Sequence, residues 1–318
     1  MSKRKRSSVA TQYRNRITLT SLVLAVVVIC VLITVNGSLE LPFLPTWDGL
    51  YSDLGLHTGI PPEGEMRVTV LDVGNADCIL LQSGNQTALI DAGENDDEEE
   101  ILTALKGAKV DRLDYVIATH ADADHIGSMD AVIRNFEIGT FIMSFMPEGH
   151  TPTTRTYERM LQAMVDCNVT PTEAEHGATY TFGEATIKIL SGISDYTETN
   201  DQSVVCMVSH GDIDFLFMGD AGKKVEREIL EAVPALDVEV LKVGHHGSRS
   251  SSDGAFIRRI SPDIALITCG FNNSYQHPHS ETLDILDRNT VTVYRSDLRG
   301  QLVLTSDGEA VTVATEKP

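Results

Sequence analysis

The sequence predicts an α+β domain in which two β-sheets pack face to face and helices cover their outer faces. Between residues 66 and 318, many short apolar segments alternate with helical stretches. Because a sheet must bury its apolar face against another layer, numerous strands with helices between them favour two packed sheets with helices outside. The hairpin-like spacing of the first three strands argues against a purely parallel, doubly wound sheet.

Turn residues divide this region into its predicted elements. The predicted strands are Arg67–Val73, Cys78–Gln82, Thr87–Asp91, Tyr115–Thr119, Thr140–Ser144, Thr186–Leu190, Val204–Val208, Phe215–Met218, Val238–Val243, Ile264–Thr268, Thr290–Tyr294, Gln301–Thr305 and Ala310–Ala314. The predicted helices are Asp97–Lys106, Ser128–Asn135, Thr154–Asp166, Lys223–Ala232, Gly254–Ile260 and Ser280–Asp287. The acidic run at residues 96–100 fits the start of the first helix, where the macrodipole favours negative charge.

The first 65 residues predict a membrane anchor followed by a linker. Residues 1–16 are basic and carry no acidic group, and residues 17–35 form an apolar run long enough to span a bilayer. The basic flank should stay in the cytoplasm, which places the linker at 36–65 and the folded domain at 66–318 outside the membrane. A passable cleavage site at Val35-Asn36-Gly37 leaves a signal peptide, and hence a secreted protein, as the alternative.

The charge of the exported part limits its partners. Beyond the basic tail, 19 Lys and Arg face 46 Asp and Glu, a formal charge of −27. Such a surface repels polyanions and disfavours nonspecific nucleic-acid binding by the whole domain, although a local basic groove or bound metals can offset it. The five cysteines include no Cys-x-x-Cys pair, which excludes a zinc finger or a disulfide framework.

The segment after the apolar run at 113–118 predicts a metal site. It holds four potential ligands in six positions: His120, Asp122, Asp124 and His125. A strand end with alternating ligands can direct the first two one way and the last two another, as two adjacent metal ions require. Chance clustering of His and Asp in a surface loop is the alternative.

A second strand end carries a carboxylate. The apolar run 215–218 leads into Gly219 and Asp220, where glycine permits a sharp turn of the backbone. Asp220 is therefore a candidate to bridge two metals. Because a helical run begins at Lys223, Asp220 can equally be read as a helix cap.

A third strand end delivers two adjacent histidines, His245 and His246. One can bind a metal while the other orients it or contacts substrate. The following segment Gly247–Ser250 can bind an anion through backbone N–H groups, the hydroxyls of residues such as Ser248 and the Arg249 guanidinium. A purely structural histidine pair is the alternative.

Further polar residues surround these segments. His277 follows the strand at 264–268 and can donate a proton to a leaving group or hold an oxyanion, unless it is an ordinary loop histidine. Asp91 ends a strand and could orient a ligand histidine. Asp72 and Asp77 flank a turn between strands. The histidines outside these segments are predicted to be surface residues: His57, His150, His176 and His210.

The order of these segments resembles the metallo-β-lactamase superfamily, whose signature is His-x-His-x-Asp-His, then a Gly-Asp strand end and another histidine. More narrowly, it resembles the soluble hydrolase domain of the competence protein ComEC family. The resemblance covers roughly residues 66–314. Its matching segments are Leu71–Asp77, His120–His125, Gly219–Asp220, Leu241–Ser248 and Gln276–His279.

Two departures from the wider superfamily bear on the metal. Asn200 and Asp201 stand where a histidine usually precedes the Gly-Asp segment, and Asp122 replaces a histidine of the signature. The first metal position is thus richer in oxygen ligands, so manganese or another hard cation becomes an option beside zinc. Both departures weaken the case for a β-lactam hydrolase. Only residues 17–35 can cross a membrane, so no multi-span DNA channel is predicted.

The resemblance implies a four-layer αββα sandwich, preceded here by one transmembrane helix, with a two-metal site at one edge. A hydroxide between two zinc or manganese ions, its pKa lowered to about 7, would attack the substrate. The implied ligands are His120 and Asp122 for one metal, Asp124 and His125 for the other, Asp220 as the bridge, and His245, or else His246, as a further ligand.

The function expected from the resemblance is a membrane-anchored, external metallohydrolase, most simply a phosphodiesterase. Asp124 would also orient the nucleophile, and His277, Ser248 and Arg249 would stabilise charge on the phosphate and its leaving oxygen. Nucleic acid, a nucleotide or a phosphocholine-type ester are the substrate options. The rival from a different class is a metal-binding sensor or interaction module that kept the fold and lost turnover.

Overall fold

The computed structural model describes residues 61–147, 149–194 and 196–318, and these residues form two sheets with helices outside. The predicted cytoplasmic tail, the transmembrane anchor at 17–35 and nearly all of the linker lie outside the described residues. Within the described part, none of the helices has the length and apolar character that a membrane span requires.

Fifteen strands and eight α-helices are present in the described residues. The strands are β1 Met66–Val70, β2 Ile79–Ser83, β3 Gln86–Ile90, β4 Arg112–Ala118, β5 Glu137–Met143, β6 Pro171–Glu173, β7 Thr179–Phe182, β8 Ala185–Ile189, β9 Cys206–His210, β10 Ile213–Phe217, β11 Val240–Lys242, β12 Ile264–Ile267, β13 Thr292–Arg295, β14 Leu302–Ser306 and β15 Val311–Thr315. The helices are α1 Glu98–Gly107, α2 Ala123–Ile126, α3 Met129–Asn135, α4 Arg155–Cys167, α5 Lys223–Ala232, α6 Gly254–Ile260, α7 Ser280–Arg288 and α8 Ser296–Arg299.

Both sheets are mixed, as the hairpin spacing predicts. The first has the order β15-β14-β1-β2-β3-β4-β5-β6, antiparallel up to β3 and parallel from β3 to β6. The second has the order β13-β12-β11-β10-β9-β8-β7, with parallel pairing from β10 to β13. In each sheet the parallel strands therefore end at a common edge.

Three apolar clusters show the layering. One lies between the sheets and joins side chains such as Val68 and Ile90 of the first sheet to Phe215 and Ile187 of the second. Another packs the first sheet against α1, α3 and α4, and the third packs the second sheet against α5, α6 and α7. The described residues thus form the predicted α/β/β/α sandwich.

Two edge strands and two short helices differ from the predicted elements. The helices α2 and α8, of four residues each, were not predicted. Strands β6 and β7 were not predicted, because Pro171–Glu173 is short and polar and Thr179–Phe182 buries only Phe182 fully, so neither has an apolar run. The prediction of a surface position for His210 is wrong. This side chain on β9 is 3% exposed, and its Nδ1 lies 2.9 Å from Ser306 Oγ.

Candidate metal centre

The site forms where the parallel strands of both sheets end. The ligand segment at 119–125 follows β4 of the first sheet, while Asp220 follows β10 and the paired histidines follow β11 of the second. A hydrogen bond of 2.7 Å from Val204 N to Thr119 O joins the two sheets beside this point. Segments far apart in sequence therefore present their polar side chains to one place.

The Asp220 carboxylate lies among four histidines. Its Oδ1 is 3.2 Å from His125 Nε2 and 3.6 Å from His246 Nε2. Its Oδ2 is 4.0 Å from His120 Nε2 and 3.5 Å from His245 Nε2. Each carboxylate oxygen thus faces its own pair of imidazoles, which is the arrangement a bridging carboxylate requires.

The other two aspartates of the cluster, Asp122 and Asp124, lie on opposite sides of the Asp220 carboxylate. Asp122 Oδ2 lies 3.7 Å from His120 Nε2, and Asp124 Oδ2 lies 3.5 Å from His246 Nε2. We call the group on one side of the Asp220 carboxylate the inner side and the group on the other the outer side. The inner side consists of Asp124, His125 and His246; the outer side consists of His120, Asp122 and His245.

The unpaired atoms of this cluster fit a divalent cation. Four buried atoms have no hydrogen-bond partner among the described residues: Nε2 of His120, His125 and His246, and Oδ1 of Asp220. Buried polar atoms are normally paired, because leaving one unpaired costs free energy. Ligand atoms of Asp124, His125, Asp220 and His246 all lie within 4.8 Å of one another. Imidazole nitrogens and carboxylate oxygens in such a group are the donors that zinc and manganese take.

Asp91 orients the inner histidine His125, as the sequence predicts. His125 Nδ1 lies 2.7 Å from Asp91 Oδ2, and both side chains are fully buried. Asp91 also accepts hydrogen bonds from the backbone N–H and the hydroxyl of Thr119, at 2.8 and 2.7 Å. Because Asp91 holds the Nδ1 edge of the ring, Nε2 of His125 is directed toward Asp220 and would be the atom that binds a metal.

A buried ion pair stands behind the other inner histidine, His246. Its Nδ1 lies 3.0 Å from the carbonyl oxygen of Thr268 and 3.6 Å from Asp77 Oδ1. The Thr268 hydroxyl donates to Asp77, and Lys242 Nζ lies 2.7 Å from Asp77 Oδ2. Sequence reasoning gave Asp77 no role and missed Lys242 and Thr268. A lysine inside the otherwise apolar strand β11 was the available signal.

The Nδ1 atoms of the outer histidines, His120 and His245, contact neutral hydroxyl and amide groups. His120 Nδ1 lies 3.4 Å from Ser203 Oγ, and His245 Nδ1 lies 3.3 Å from Asn200 Nδ2 and 3.1 Å from Ser250 Oγ. Asn200, which stands where the wider superfamily has a histidine, thus lies behind a histidine supplied by another segment. Sequence reasoning missed Ser203, and it placed Ser250 in an anion-binding segment rather than beside His245.

The backbone explains how two neighbouring histidines reach opposite sides of Asp220. His245, His246 and Gly247 have φ values of 49°, 51° and 83°, so three successive residues are left-handed. Such a conformation is costly for residues with a side chain and concentrates at functional sites. The turn points the two imidazoles in different directions. The structure therefore brings both histidines to the cluster, where the sequence left a choice between them.

The surrounding groups act in opposite directions on the candidate ligands. Burial alone would lower the pKa of His125 and of His246, but Asp220 and the carboxylates beside each ring raise both, so these imidazoles would release a proton on binding a metal. The pKa shifts of His120, Asp220 and Asp124 favour the metal-binding forms. Burial lowers the pKa of His120 to about 3, so its imidazole is neutral. Burial alone would raise the pKa of Asp220, but His125 and His246 hold it well below its usual value. Burial also opposes ionisation of Asp124, yet the neighbouring His246 and His125 lower its pKa to about 2. Neutral imidazoles and ionised carboxylates are the forms that bind metals.

His277 stands beside the cluster, as predicted. Its ring centroid lies 5.3 Å from that of His245 and 6.2 Å from that of His246. Its Nδ1 is buried without a hydrogen-bond partner among the described residues, and Asn273 Oδ1 accepts its backbone N–H at 2.9 Å. Burial, followed by the neighbouring His246, lowers its pKa to about 4. His277 is therefore neutral at pH 7.

The anion-binding residues predicted after His246 lie farther out. Ser248 Oγ accepts the hydroxyl proton of Ser250 at 3.0 Å, which places it behind a residue that contacts His245. The Arg249 guanidinium is exposed, and its Nη1 lies 3.2 Å from Glu281 Oε1. The structure thus pairs this guanidinium with an acidic side chain on α7, and its predicted role in anion binding stays a prediction.

Comparison with known proteins agrees with this geometry. Residues 71–270 match the family model described as the metallo-beta-lactamase superfamily. ComE operon protein 3 of Bacillus subtilis is 29% identical over 78% of this chain and 34% of its own length. Competence protein ComA of Neisseria gonorrhoeae is 30% identical over 76% of this chain and 32% of its own length. The chain thus spans about a third of the length of these curated relatives.

Solved structures share the fold. The metallo-beta-lactamase fold protein YhfI from Bacillus subtilis matches with a TM-score of 0.52 and 15% identity, over 76% of this chain and 99% of its own. The diiron β-hydroxylase CmlA from Streptomyces venezuelae matches with a TM-score of 0.51 and 14% identity, over 77% of this chain and 54% of its own. The sandwich, the strand-end ligand cluster and the family match lead to one conclusion: the chain belongs to the metallo-β-lactamase superfamily and is related to competence proteins.

Proposed function

We propose that this protein is a metal-dependent hydrolase of phosphodiesters, anchored by residues 17–35 with its catalytic domain outside the membrane. The observation that carries the proposal is the set of partnerless nitrogen and oxygen atoms around the Asp220 carboxylate. A buried group of this kind would be costly without a cation and is suited to holding one.

The two sides of Asp220 define two ligand sets. Asp124, His125 and His246 would hold one divalent cation together with Asp220 Oδ1. His120, Asp122 and His245 would hold the other together with Oδ2. Two bound zinc or manganese ions supply an activated water and polarise the phosphoryl oxygen. Asp122 makes the outer set richer in oxygen than a histidine would, which favours a hard cation such as manganese there.

The residues around the ligands have separate tasks. Asp124 is ionised at neutral pH and half-buried, so it can also accept a hydrogen bond from an attacking water. His277 is neutral, so its imidazole N–H can donate a hydrogen bond to a phosphate oxygen as negative charge develops there. Ser248 acts through Ser250, which it holds against His245.

Several observations favour phosphoric esters over β-lactams. The position of Asn200 lacks the superfamily's histidine, and Asp122 adds a carboxylate. Relatives are named for competence and for recombination, which is consistent with a substrate of the nucleic-acid type. The −27 formal charge opposes long duplex DNA, so short oligonucleotides, nucleotides or phosphocholine-type esters are the substrates to examine.

Hydrolysis of a generic aryl phosphodiester tests the proposal. The full chain, loaded with zinc or manganese, is assayed on bis(p-nitrophenyl) phosphate, on a lactone and on a β-lactam. Asp124→Ala should lower phosphodiester hydrolysis by about 10²–10⁴-fold, the range of a positioned proton acceptor, whereas exposed Asp96→Ala should not. Undiminished activity of Asp124→Ala would overturn the assignment. Two bound metals with no hydrolysis of any substrate would favour the metal-binding sensor.

The proposed location has its own test. In intact cells carrying the full chain, externally added protease should degrade the 66–318 domain and leave a membrane-bound fragment that contains the basic tail. A domain that resists protease until the cells are opened would contradict external display. Release of the intact domain into the medium would favour signal-peptide cleavage.

A further inference from the structure

An open cleft begins at the outer side of the cluster and runs along the start of α5. Asp220 and His245 line the cleft where it adjoins the cluster, and Lys223 and Arg227 line its wall along α5. Its volume is about 520 Å³, which is ample for a phosphate group with part of the molecule that carries it. A substrate whose reacting phosphorus lies at Asp220 would therefore extend a second group into this space.

Two cations of this cleft, Lys223 and Arg227, have no ion-pair partner in the part of the chain that the structure describes, since no described carboxylate oxygen lies within ion-pair distance of either. A third cation, Lys224, has its Nζ 4.7 Å from the centre of the Tyr196 ring. Elsewhere the exposed arginines are often paired, as Arg249 is with Glu281. Two cations that no described carboxylate pairs stand out beside the site, because the chain has a large acidic excess.

Three carboxylates also line the cleft, and their positions leave the cations available. Asp220 belongs to the metal cluster, and Asp201 accepts the backbone N–H of Gly222 at 3.2 Å. Glu198 is exposed at the rim. The backbone N–H of Lys223 is also taken, by the carbonyl oxygen of Ser250 at 3.1 Å. Anion binding here would therefore depend on the side chains of α5 rather than on its first amides.

We propose that Lys223 and Arg227 bind a second phosphate group of the substrate, on the outer side of the metal cluster. The proposal rests on the proposed phosphodiesterase function and deepens it. Arginine can contact phosphate with two parallel N–H groups, and lysine adds a mobile point charge. The preferred substrate would then carry two phosphates, as a short oligonucleotide or a bisphosphate does, rather than an isolated diester.

Binding of paired ligands that differ by one phosphate tests this directly. Calorimetry on the metal-loaded full chain compares thymidine 3′,5′-bisphosphate with thymidine 5′-monophosphate, and glycerol 1,3-bisphosphate with glycerol 1-phosphate. In at least one pair the bisphosphate should bind about tenfold more tightly, the effect of one charge-assisted contact. The pair that shows the preference identifies whether a nucleoside or a simple polyol carries the second phosphate.

The decisive variant is Lys223→Gln with Arg227→Gln. It should reduce the preference to about twofold or less, while the matched control Lys106→Gln with Arg259→Gln, two exposed residues elsewhere, keeps it. Equal binding of both ligands by the wild type in both pairs would overturn the inference, as would a preference that survives the double substitution. Absence of aryl phosphodiester hydrolysis would instead overturn the proposed function. Because the preference is measured by binding, the two failures are distinguishable.

Discussion

The inner and outer sides of the cluster differ in what stands behind their histidines. On the inner side, Asp91 contacts His125, and Asp77, paired with Lys242, lies behind His246. On the outer side, hydroxyl and amide groups take these places. A carboxylate behind a ligand histidine fixes the ring and raises its basicity, so the inner side should hold its metal more tightly.

Exposure differs less sharply between the two sides. On the inner side, the side chains of His125 and His246 are at most 1% exposed and that of Asp124 is 25% exposed. On the outer side, His120 is fully buried, whereas the side chains of Asp122 and His245 are 46% and 27% exposed. The outer side also opens into the cleft with Lys223 and Arg227. We infer that a metal on the inner side would stay bound during turnover. A metal on the outer side would exchange more readily and contact the substrate.

Removing the shared carboxylate should have the largest effect. Asp220→Asn weakens both ligand sets at once, so we expect both metals to be lost and phosphodiester hydrolysis to fall about 10³-fold or more, since several kcal/mol of charge stabilisation depend on the metals. Metal content and kcat/KM are measured on the same sample. Asp96→Asn is the exposed control. Retention of one metal with full activity would show that Asp220 does not join the two sides.

Among these changes, breaking the buried ion pair between Asp77 and Lys242 should lower the free energy of unfolding most. Lys242→Met leaves the Asp77 carboxylate buried and unpaired, which should lower the free energy of unfolding by about 3–5 kcal/mol. The double variant Asp77→Asn, Lys242→Met removes both charges and should lose much less. Denaturant unfolding of metal-free protein measures both, with Lys106→Met as control. An equal loss in the single and double variants would mean that packing, and not charge, is responsible.

Replacing Asp91, the carboxylate behind His125, tests how tightly the inner side binds its metal. Asp91→Asn should weaken binding of the tighter metal by about 10–100-fold, because His125 loses its charged partner while keeping a neighbour of the same shape. A competing metal chelator measures the affinity. An unchanged affinity would remove the distinction between the two sides.

The corresponding change on the outer side should be the smallest. Asn200→Ala removes a neutral group that lies 3.3 Å from His245 Nδ1, so we expect the weaker metal to lose about threefold in affinity or less, in line with a single neutral hydrogen bond. The same chelator titration measures it. A loss as large as that of Asp91→Asn would show that the neutral groups hold their histidine just as firmly.

Much of this site follows from local sequence, because strand ends of a parallel array meet at one edge. His120, Asp122, Asp124, His125 and Asp220 lie where their strands predict, and Asp91 contacts a ligand histidine as expected. These inferences needed only apolar runs and the polar residues that follow them.

The remainder depends on contacts that no local pattern encodes. The joint use of His245 and His246 depends on left-handed backbone angles that two non-glycine residues rarely adopt. The Asp77–Lys242 pair joins the two sheets across a long stretch of sequence. Arg249 has a long side chain, and its partner Glu281 becomes a neighbour only once α7 has packed.

Titration of the metal-free full chain with zinc or manganese, followed by calorimetry and by phosphodiester hydrolysis in parallel, tests the central claim most directly. We predict two binding events per chain, the first at least about tenfold tighter than the second, a difference of about 1.4 kcal/mol, with hydrolysis appearing as the second site fills. A single binding event, two events of equal affinity, or full hydrolysis before any metal is added would contradict the account of two unequal sides joined by Asp220.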